Sequence, residues 1–381
     1  MSPLIPKRRS RRPRRPALLS PRPRAAWAAP EPPPLTPQSA APPPFPKPGP
    51  PRARSQKITL YAGAAIVVLI VIIIIALSSR RYRRPLANVP KGQTSVQVVD
   101  VRRFFASPIH PALEAAGHPI AAHLEAMEDD FNVSLRRDVA VLVDTDDSTL
   151  LIGRFAPKRM RDGFDVTIEK REKEINRTRQ TPVQLRIHEA DVEGYTYWYC
   201  SQEGVDHAFA SVGRTVVCFG DRWGVRRFLK VRAGLRSPAL HDERFAAAYD
   251  PKLARRALLY RIEKPDGTLL ASRLRTALGD ASGRVYAAFF AVAASEESIG
   301  LTIRFATTGA DAATALESHL QSDAAQAALV PLLGTTAKPT ITRDGNAVVL
   351  SSAVAVEKFK DIVANDKEGR GANLVLSLLI G

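Results

Sequence analysis

The chain has 381 residues and a formal net charge of +17 at pH 7, and almost all of that charge lies near its beginning. Residues 1–57 contain 13 Lys and Arg residues against a single acid, and Arg80, Arg81, Arg83 and Arg84 follow, so that the chain from residue 86 onward carries only +1. A folded part this close to neutral gives no electrostatic support for specific nucleic-acid binding, which depends on neutralising phosphates.

The first segment, residues 1–57, also contains 18 of the 30 prolines. A stretch this poor in apolar residues cannot form a core, and it predicts a disordered Pro/Arg-rich tail with polyproline II stretches. Its run PKRRSRRPRRP is suited to contact with anionic lipid or nucleic acid. The alternative is a solvated tail whose charge only sets the membrane topology.

Residues 58–77 read ITLYAGAAIVVLIVIIIIAL, 20 residues without a charge, which matches the ~20 residues that a helix needs to cross a bilayer. No small-residue cleavage site follows, so the segment predicts an uncleaved signal anchor in a single-pass membrane protein. The basic tail favours a cytoplasmic N-terminus and a C-terminal domain outside the cytoplasm. Positive residues flank both ends of the span, so the inverse orientation is an alternative. Residues 78–94 are expected to be a juxtamembrane linker.

Residues 95–235 predict a first α+β half. SVQVVDV is a strand, and a helical region broken at Pro119 follows it. Two strands joined by an acidic loop lead to a charged helix, and four further strands separated by short turns must pair as antiparallel neighbours. A helix with Asp221 as its N-cap and Gly234 after its end closes the half.

Residues 236–370 predict a second half with a similar order: two strands, an Ala-rich helix with Leu316, Leu320 and Ala324 on one face, a hairpin and a helix. The halves share text, since TLLIGRFAPKRM matches GLTIRFATTGAD and TVVCFGDRWGVRRFLKV matches AVVLSSAVAVEKFKDIV. The predicted fold class is α+β: one transmembrane helix, then a duplicated domain in which each half is an antiparallel sheet backed by helices. Residues 371–381 are a C-terminal tail, either a last strand or a docking segment.

The two cysteines, Cys200 and Cys218, fit either compartment, although an extracytoplasmic domain permits a disulfide. The predicted strands place them two strands apart, about 10 Å. A disulfide needs Cα atoms within ~7 Å of each other. We therefore expect two buried free thiols.

Four stretches carry a family resemblance: LLIGRFAPKRM, EGYTYWYC, ASVGRTVVCFGDRWGVRRFL and LHDERFAAAY. Together they resemble an uncharacterised bacterial family of membrane- or lipid-anchored envelope proteins, over roughly Asp138 to Phe359. Members have a strand ending near Phe before a helix, a Tyr-bearing strand, and a helix that begins with Asp and Phe three residues apart. The resemblance implies an extracytoplasmic α+β domain and supplies no catalytic residues.

The stretch VAVLVDTDDSTLL, residues 139–151, resembles the start of a haloacid-dehalogenase-type phosphatase. That resemblance implies Asp144 as nucleophile, Asp146 as general acid and Asp221, in VVCFGD, as a Mg²⁺ ligand. The connection between these residues is mostly short antiparallel strands, whereas that fold needs parallel strands with helical crossovers. The equivalent stretches of the second half are SEES, another acidic turn, and Ser351-Ser352; the apolar frame recurs there without the would-be catalytic groups. Acidic turn residues and a helix N-cap explain the same positions.

Three histidines, His110, His118 and His123, lie near Glu125 and Glu128 in the first helical region. The spacing of five between His118 and His123 does not align them on one helical face, and the metal-binding pattern His-x-x-x-His is absent. We expect a solvated helix face and predict no metal site and no cofactor.

The aromatic strand YTYWYC is the most suggestive binding feature. Strand alternation puts Tyr195, Tyr197 and Tyr199 on one face, and Trp198 with Cys200 on the other. Exposed, the tyrosine row is suited to stacking on glycan or peptide; buried, it is one side of a core, which is the favoured interpretation.

The sequence as a whole predicts a single-pass, membrane-anchored, extracytoplasmic protein of non-catalytic binding or envelope-associated role. Its expected partners are the membrane and a protein or cell-wall component, and the tail is expected to contact anionic lipid. The alternative function is an extracytoplasmic phosphatase that uses Asp144.

Overall fold

A computed structural model describes residues 85–366 and 373–380 of the chain. The predicted tail, residues 1–57, and the predicted transmembrane helix, residues 58–77, lie outside the described residues, as does the first part of the predicted linker. Among the described residues, no helix has both the length and the apolar character needed to cross a membrane.

The second part of the predicted linker, residues 85–94, belongs to the folded unit. It begins with a 3₁₀ turn, Pro85–Ala87, and Leu86 and Val89 are almost completely buried. The backbone N–H of Ala239 donates to the carbonyl of Val89 over 2.8 Å. The polar composition of residues 85–94 predicted a linker outside the domain. The few apolar side chains of this segment are nevertheless enough to pack it against the domain.

Within the described residues, twelve strands form one antiparallel sheet. The strands are β1 (Ser95–Asp100), β2 (Val139–Thr145), β3 (Ser148–Gly153), β4 (His188–Val192), β5 (Tyr195–Gln202), β6 (Val205–Val212), β7 (Val216–Gly220), β8 (Leu259–Glu263), β9 (Val285–Ala294), β10 (Ser298–Thr307), β11 (Thr340–Asp344) and β12 (Ala347–Ala355). Their spatial order is β11-β12-β10-β9-β8-β1-β2-β3-β7-β6-β5-β4. The predicted α+β class is therefore correct at the level of a large antiparallel sheet with helices.

Most of the helices lie between strands along the chain, and the last two follow the final strand. The helices are α1 (Val101–Ala106), α2 (Ile109–Ala115), α3 (Pro119–Phe131), α4 (Leu135–Asp138), α5 (Pro157–Thr178), α6 (Arg222–Arg232), α7 (Glu243–Ala248), α8 (Pro251–Arg256), α9 (Arg275–Leu278), α10 (Ala310–Gln321), α11 (Asp323–Leu333), α12 (Val356–Asn365) and α13 (Leu374–Ile380). The Asp221 carboxylate accepts from the N–H of Gly224 at the start of α6, and Gly234 follows that helix with a positive φ. Both predicted caps are confirmed.

The sheet is continuous because β1 pairs with β8 in its middle. Gln97 lies opposite Arg261 in this antiparallel pair, and β2 and β9 flank it on the outer sides. The expectation of a separate sheet in each half is therefore wrong. The short strand β8 was not predicted, and it supplies the edge through which the two groups of strands join.

The strand order repeats on the two sides of that pair. On one side it runs β1-β2-β3-β7-β6, and on the other it runs β8-β9-β10-β12-β11. The hairpin of β4 and β5 has no counterpart and extends the first side. Helix α5 and the helices α10 and α11 occupy the same place in the two orders, between the third strand and the next one along the chain.

The sheet is covered on both faces. On one face, Val225, Phe228 and Leu229 of α6 and Phe245 of α7 pack in a cluster with Val143 and other strand residues. On the opposite face, α5 packs over the first group of strands. The last helices pack over the second group in a separate cluster. The seam between these two clusters runs along β1 and β2.

Two details at the C-terminal side differ from the sequence prediction. The single Ala-rich helix is two helices, because Ser322 ends α10 and its hydroxyl caps α11 by accepting from the N–H of Ala325. Leu316 and Leu320 are buried as expected, but Ala324 lies after the break and is exposed. The tail contains helix α13, and Leu374 to Leu378 are buried in the core rather than forming a strand.

Candidate functional site

The acidic loop between β2 and β3 is held by hydrogen bonds to other parts of the chain. Asp146 is exposed and accepts from the backbone N–H and the hydroxyl of Ser95, each over 3.1 Å. Asp147 forms an ion pair with Arg227 of α6 and accepts from Gln93 Nε2 over 3.2 Å. Asp146 and Asp147 therefore hold the loop against the start of β1 and against α6. The Asp221 carboxylate caps α6.

The turn itself uses a threonine. Thr145 Oγ1 donates to the carbonyl of Ser148 over 2.7 Å and accepts from its N–H over 3.0 Å. At the equivalent turn between β9 and β10, Ser295 Oγ makes the same two bonds with Ser298, over 3.2 and 3.1 Å. In each turn these bonds join one hydroxyl to the backbone of the serine three residues later, and the two acids lie between them.

The tyrosine row faces the core. Tyr197 is almost completely buried, and Tyr195 and Tyr199 pack against the same cluster. Trp198 and Cys200 face the opposite side of the sheet, so the predicted alternation is confirmed. Arg222 covers the ring of Tyr199, with its guanidinium carbon 3.9 Å from the ring centroid. The row forms one wall of the core instead of an open stacking surface.

The cysteines are both buried and free, as predicted. They lie on β5 and β7, which are separated by β6. Burial raises the pKa of the Cys218 thiol well above its ordinary value, which keeps this thiol in its unreactive protonated form.

The histidines do not share one environment. His110 and His118 are buried, so the predicted solvated helix face is wrong for these two, whereas His123 is exposed. His118 Nδ1 accepts from the N–H of Ile120 at the start of α3, a cap that sequence spacing did not suggest. Within residues 85–366 and 373–380, no three His, Cys, Asp or Glu side chains are grouped so as to hold a metal ion.

A cavity of about 330 Å³ at the seam between the two helix-covered clusters has the properties of a ligand site. Its sheet side is formed by Gln97, Val99, Leu142, Asp144, Thr149 and Leu259. Its helix side is formed chiefly by Phe104, Phe105, Ile120, Leu124, Met127 and Leu135. A volume in this range, an apolar lining and a few polar groups are typical of small-molecule sites.

Gln97, Asp144 and Thr149 are the polar groups on the sheet side of the cavity, and His118 and His123 line its helix side. Gln97 and Asp144 are directly opposite on β1 and β2, and Thr149 is opposite Asp144 on β3. Thr149 Oγ1 donates to Asp144 Oδ1 over 2.7 Å. Burial raises the pKa of the Asp144 carboxyl, and the Thr149 hydroxyl and the charge of Arg261 oppose that effect only in part.

Gln97 is the least satisfied of these groups. Its side chain is 7% exposed, and its Oε1 atom is buried without a hydrogen-bond partner. A buried acceptor left without a partner costs ~1–3 kcal/mol. Sequence reasoning missed this residue, although a glutamine on the same strand face as Val99, in SVQVVDV, was a detectable irregularity.

Comparison with known proteins identifies no relative in sequence: no family model and no curated protein matches the chain. Among solved structures, three crystal forms of TP0453 resemble it. Crystal form III has a TM-score of 0.42 and 10% sequence identity, and the match covers 74% of this chain and 98% of that one. Crystal forms I and IV both have a TM-score of 0.39, with 10% and 12% identity, and both matches cover 74% of this chain and 96% of the other.

Proposed function

We propose that the chain is a single-pass, membrane-anchored, extracytoplasmic binding protein without catalytic activity, whose folded part holds an apolar small molecule. The observation that carries the proposal is the cavity of about 330 Å³ with its largely apolar lining. Burial of apolar ligand surface drives such binding at roughly 25 cal/mol per Å². The charge-free segment 58–77 and the resemblance to membrane-anchored envelope proteins support the anchor and the location.

The state of the acidic residues supports a non-catalytic role. Asp146, Asp147 and Asp221 are engaged by backbone groups or by an arginine. The strands that bear them pair in antiparallel fashion, which differs from the parallel frame of the phosphatase. The proposal fails if residues 85–381 turn over a substrate and lose that activity when one polar residue is changed.

The two sides of the sheet also support a duplication. We propose that residues 95–235 and 236–370 are copies of one unit. The shared strand order and the matching hydroxyl turns at Thr145 and Ser295 are what the proposal rests on.

The binding experiment uses the fragment 85–381, because the whole sheet and its buried clusters lie within residues 85–380. Calorimetric titration with 1-decanol is expected to show saturable binding of one molecule per chain. Leu142→Phe, which fills part of the cavity, is expected to weaken binding at least fivefold. Leu235→Phe is the control, because Leu235 is 61% exposed and lies outside the cavity. Equal weakening by both variants, or no binding, contradicts the proposal.

The location is tested separately in the full-length chain. The test uses a reporter enzyme that is active only outside the cytoplasm, fused after residue 381. This fusion is expected to be active. A cytoplasmic reporter would reverse the proposed orientation and leave the cavity proposal untouched.

A second candidate function, the phosphatase, is favoured by the position of Asp144 in a cavity, where burial raises its pKa. It predicts Mg²⁺-dependent hydrolysis of p-nitrophenyl phosphate that Asp144→Asn abolishes. Equal hydrolysis rates for the wild-type protein and Asp144→Asn would refute the phosphatase hypothesis.

A further inference from the structure

We infer that the ligand of the cavity is an aliphatic amphiphile whose head group donates hydrogen bonds and carries no negative charge, such as a hydroxyl or an ammonium group. The inference rests on the proposed binding function and names the class of ligand. It is carried by the polar groups that face the cavity from β1, β2 and β3.

First, the polar groups on the sheet side of the cavity lack hydrogen-bond donors to fill their acceptor sites. Gln97 Oε1 is a buried acceptor without a partner, and the carboxylate of Asp144, which accepts one bond from Thr149, has acceptor sites to spare. Residues directly opposite on neighbouring strands have Cβ atoms ~5 Å apart, so one head group can reach both Gln97 and Asp144. A head group that donates satisfies these acceptors, and one that only accepts leaves them unpaired.

The second step concerns charge. The acid that faces the cavity is Asp144, while the nearby cation Arg261 is held by Glu263 through two hydrogen bonds of 3.1 and 2.8 Å. An anionic head group that reaches Gln97 would lie beside the Asp144 carboxylate, whereas the histidines of the cavity, His118 and His123, lie on its helix side. Like charges brought together out of water repel strongly. A fatty-acid carboxylate is therefore disfavoured.

The third step is a comparison within the chain. Counting from the hydroxyl turns, the positions of Asp144 and Thr149 correspond to Ala294 and Ile299 on β9 and β10, which also lie opposite each other. Ile299 is fully buried against other apolar residues. The strand frame therefore accepts an apolar pair here, and folding does not require the acid and the hydroxyl.

The size of the ligand follows from the volume. A cavity of ~150 Å³ holds benzene, which has six non-hydrogen atoms, so that the present 330 Å³ accommodates roughly a dozen at the same density. A ten-carbon chain with a small head group is of this size.

The experiment compares four ten-carbon ligands on residues 85–381 by calorimetry at pH 8: 1-decanol, decylammonium, decanoate and methyl nonyl ether. The ether is an isomer of decanol that has no donor. Decanol and decylammonium are expected to bind at least tenfold more tightly than the ether and decanoate. Their order then distinguishes a hydroxyl ligand from an ammonium ligand.

The variant Gln97→Leu removes the unpaired acceptor and keeps a buried side chain of similar size. It is expected to reduce the preference for decanol over the ether to less than threefold without loss of folding. If all four ligands bind equally, or decanoate binds best, the inference is overturned while the proposed binding function stands. If none of them binds, the proposed function fails as well.

Discussion

Thr145 and Ser295 make the same hydrogen bonds, each to the serine three residues further along the chain. In both turns the hydroxyl donates to the carbonyl of that serine and accepts from its N–H. The two hairpins occupy matching places in the strand order, β2-β3 and β9-β10. The two turns thus share a hydroxyl that closes the turn and a pair of acids after it, Asp146-Asp147 and Glu296-Glu297.

Removal of either hydroxyl is expected to destabilise its own hairpin. Thr145→Val and Ser295→Ala should each lower the free energy of unfolding by about 1 kcal/mol, since a hydrogen bond of this kind contributes ~0.5–1.5 kcal/mol. The turns share no partners, so the double variant should show the sum of the two effects. Urea denaturation of residues 85–381 measures all three values. A double variant no less stable than either single variant would contradict independent turns.

Gly153, at the end of β3, is expected to tolerate no side chain. A Cβ atom there would lie within van der Waals overlap of the Asp138 carbonyl oxygen, at 1.9 Å. Relief of such a clash requires a backbone shift, so Gly153→Ala should cost about 1–3 kcal/mol of stability. Gly283→Ala is the control, because a Cβ atom at Gly283 has no neighbour within 4 Å. Similar denaturation midpoints for the two variants would refute the close approach.

Glu263 and Arg261 form a buried ion pair on β8, with side-chain exposures of 0% and 5%. Glu263 also accepts from the N–H groups of Leu269 and Leu270. Glu263→Gln removes the counter-charge that contacts the buried guanidinium directly, and breaking a buried pair in this way costs ~3–5 kcal/mol.

The control for this variant is Glu357→Gln, in an ion pair with Lys360 whose glutamate side chain is 84% exposed. An exposed pair of this kind contributes less than ~1 kcal/mol. Thermal unfolding of the two variants is therefore expected to differ clearly. If Glu263→Gln unfolds at the wild-type temperature, the buried pair does not hold β8 in place.

Asp144→Asn is expected to change the pH dependence of stability. Because burial raises the pKa of Asp144 in the folded protein, the folded state binds its proton up to a higher pH than the unfolded chain does. The free energy of unfolding contributed by Asp144 therefore falls as the pH rises from the pKa of the unfolded chain, ~3.9, to the pKa of the folded protein. Above the folded-state pKa it stays constant at its lowest value. Asparagine does not ionise and does not show this loss.

The measurement is urea denaturation of both proteins between pH 4 and pH 8. The stability of Asp144→Asn relative to the wild type should increase with pH and then become constant. A difference that is the same at every pH, or that decreases as the pH rises, would show that Asp144 is not desolvated in the folded state.

The sequence by itself determined the features that depend on neighbouring residues. The Asp221 cap, the glycine after α6 and the alternation of the tyrosine strand were all predictable, because a cap or a strand face is set within a few residues by backbone geometry. The β11–β12 hairpin was predictable for the same reason, although its turn, expected at Asp344-Gly345, lies one residue later, at Gly345 and Asn346. These local rules also led to the α+β class.

Only the tertiary structure decided the features that join distant parts of the chain. The β1–β8 pair connects Gln97 to Arg261, and no local pattern specifies which strand edges meet. The cavity forms where two groups of helices cover the same sheet face and leave a seam, so its existence depends on packing over the whole domain. That packing turned Gln97 from one polar residue in a strand into a buried acceptor, and placed Asp144 beside it.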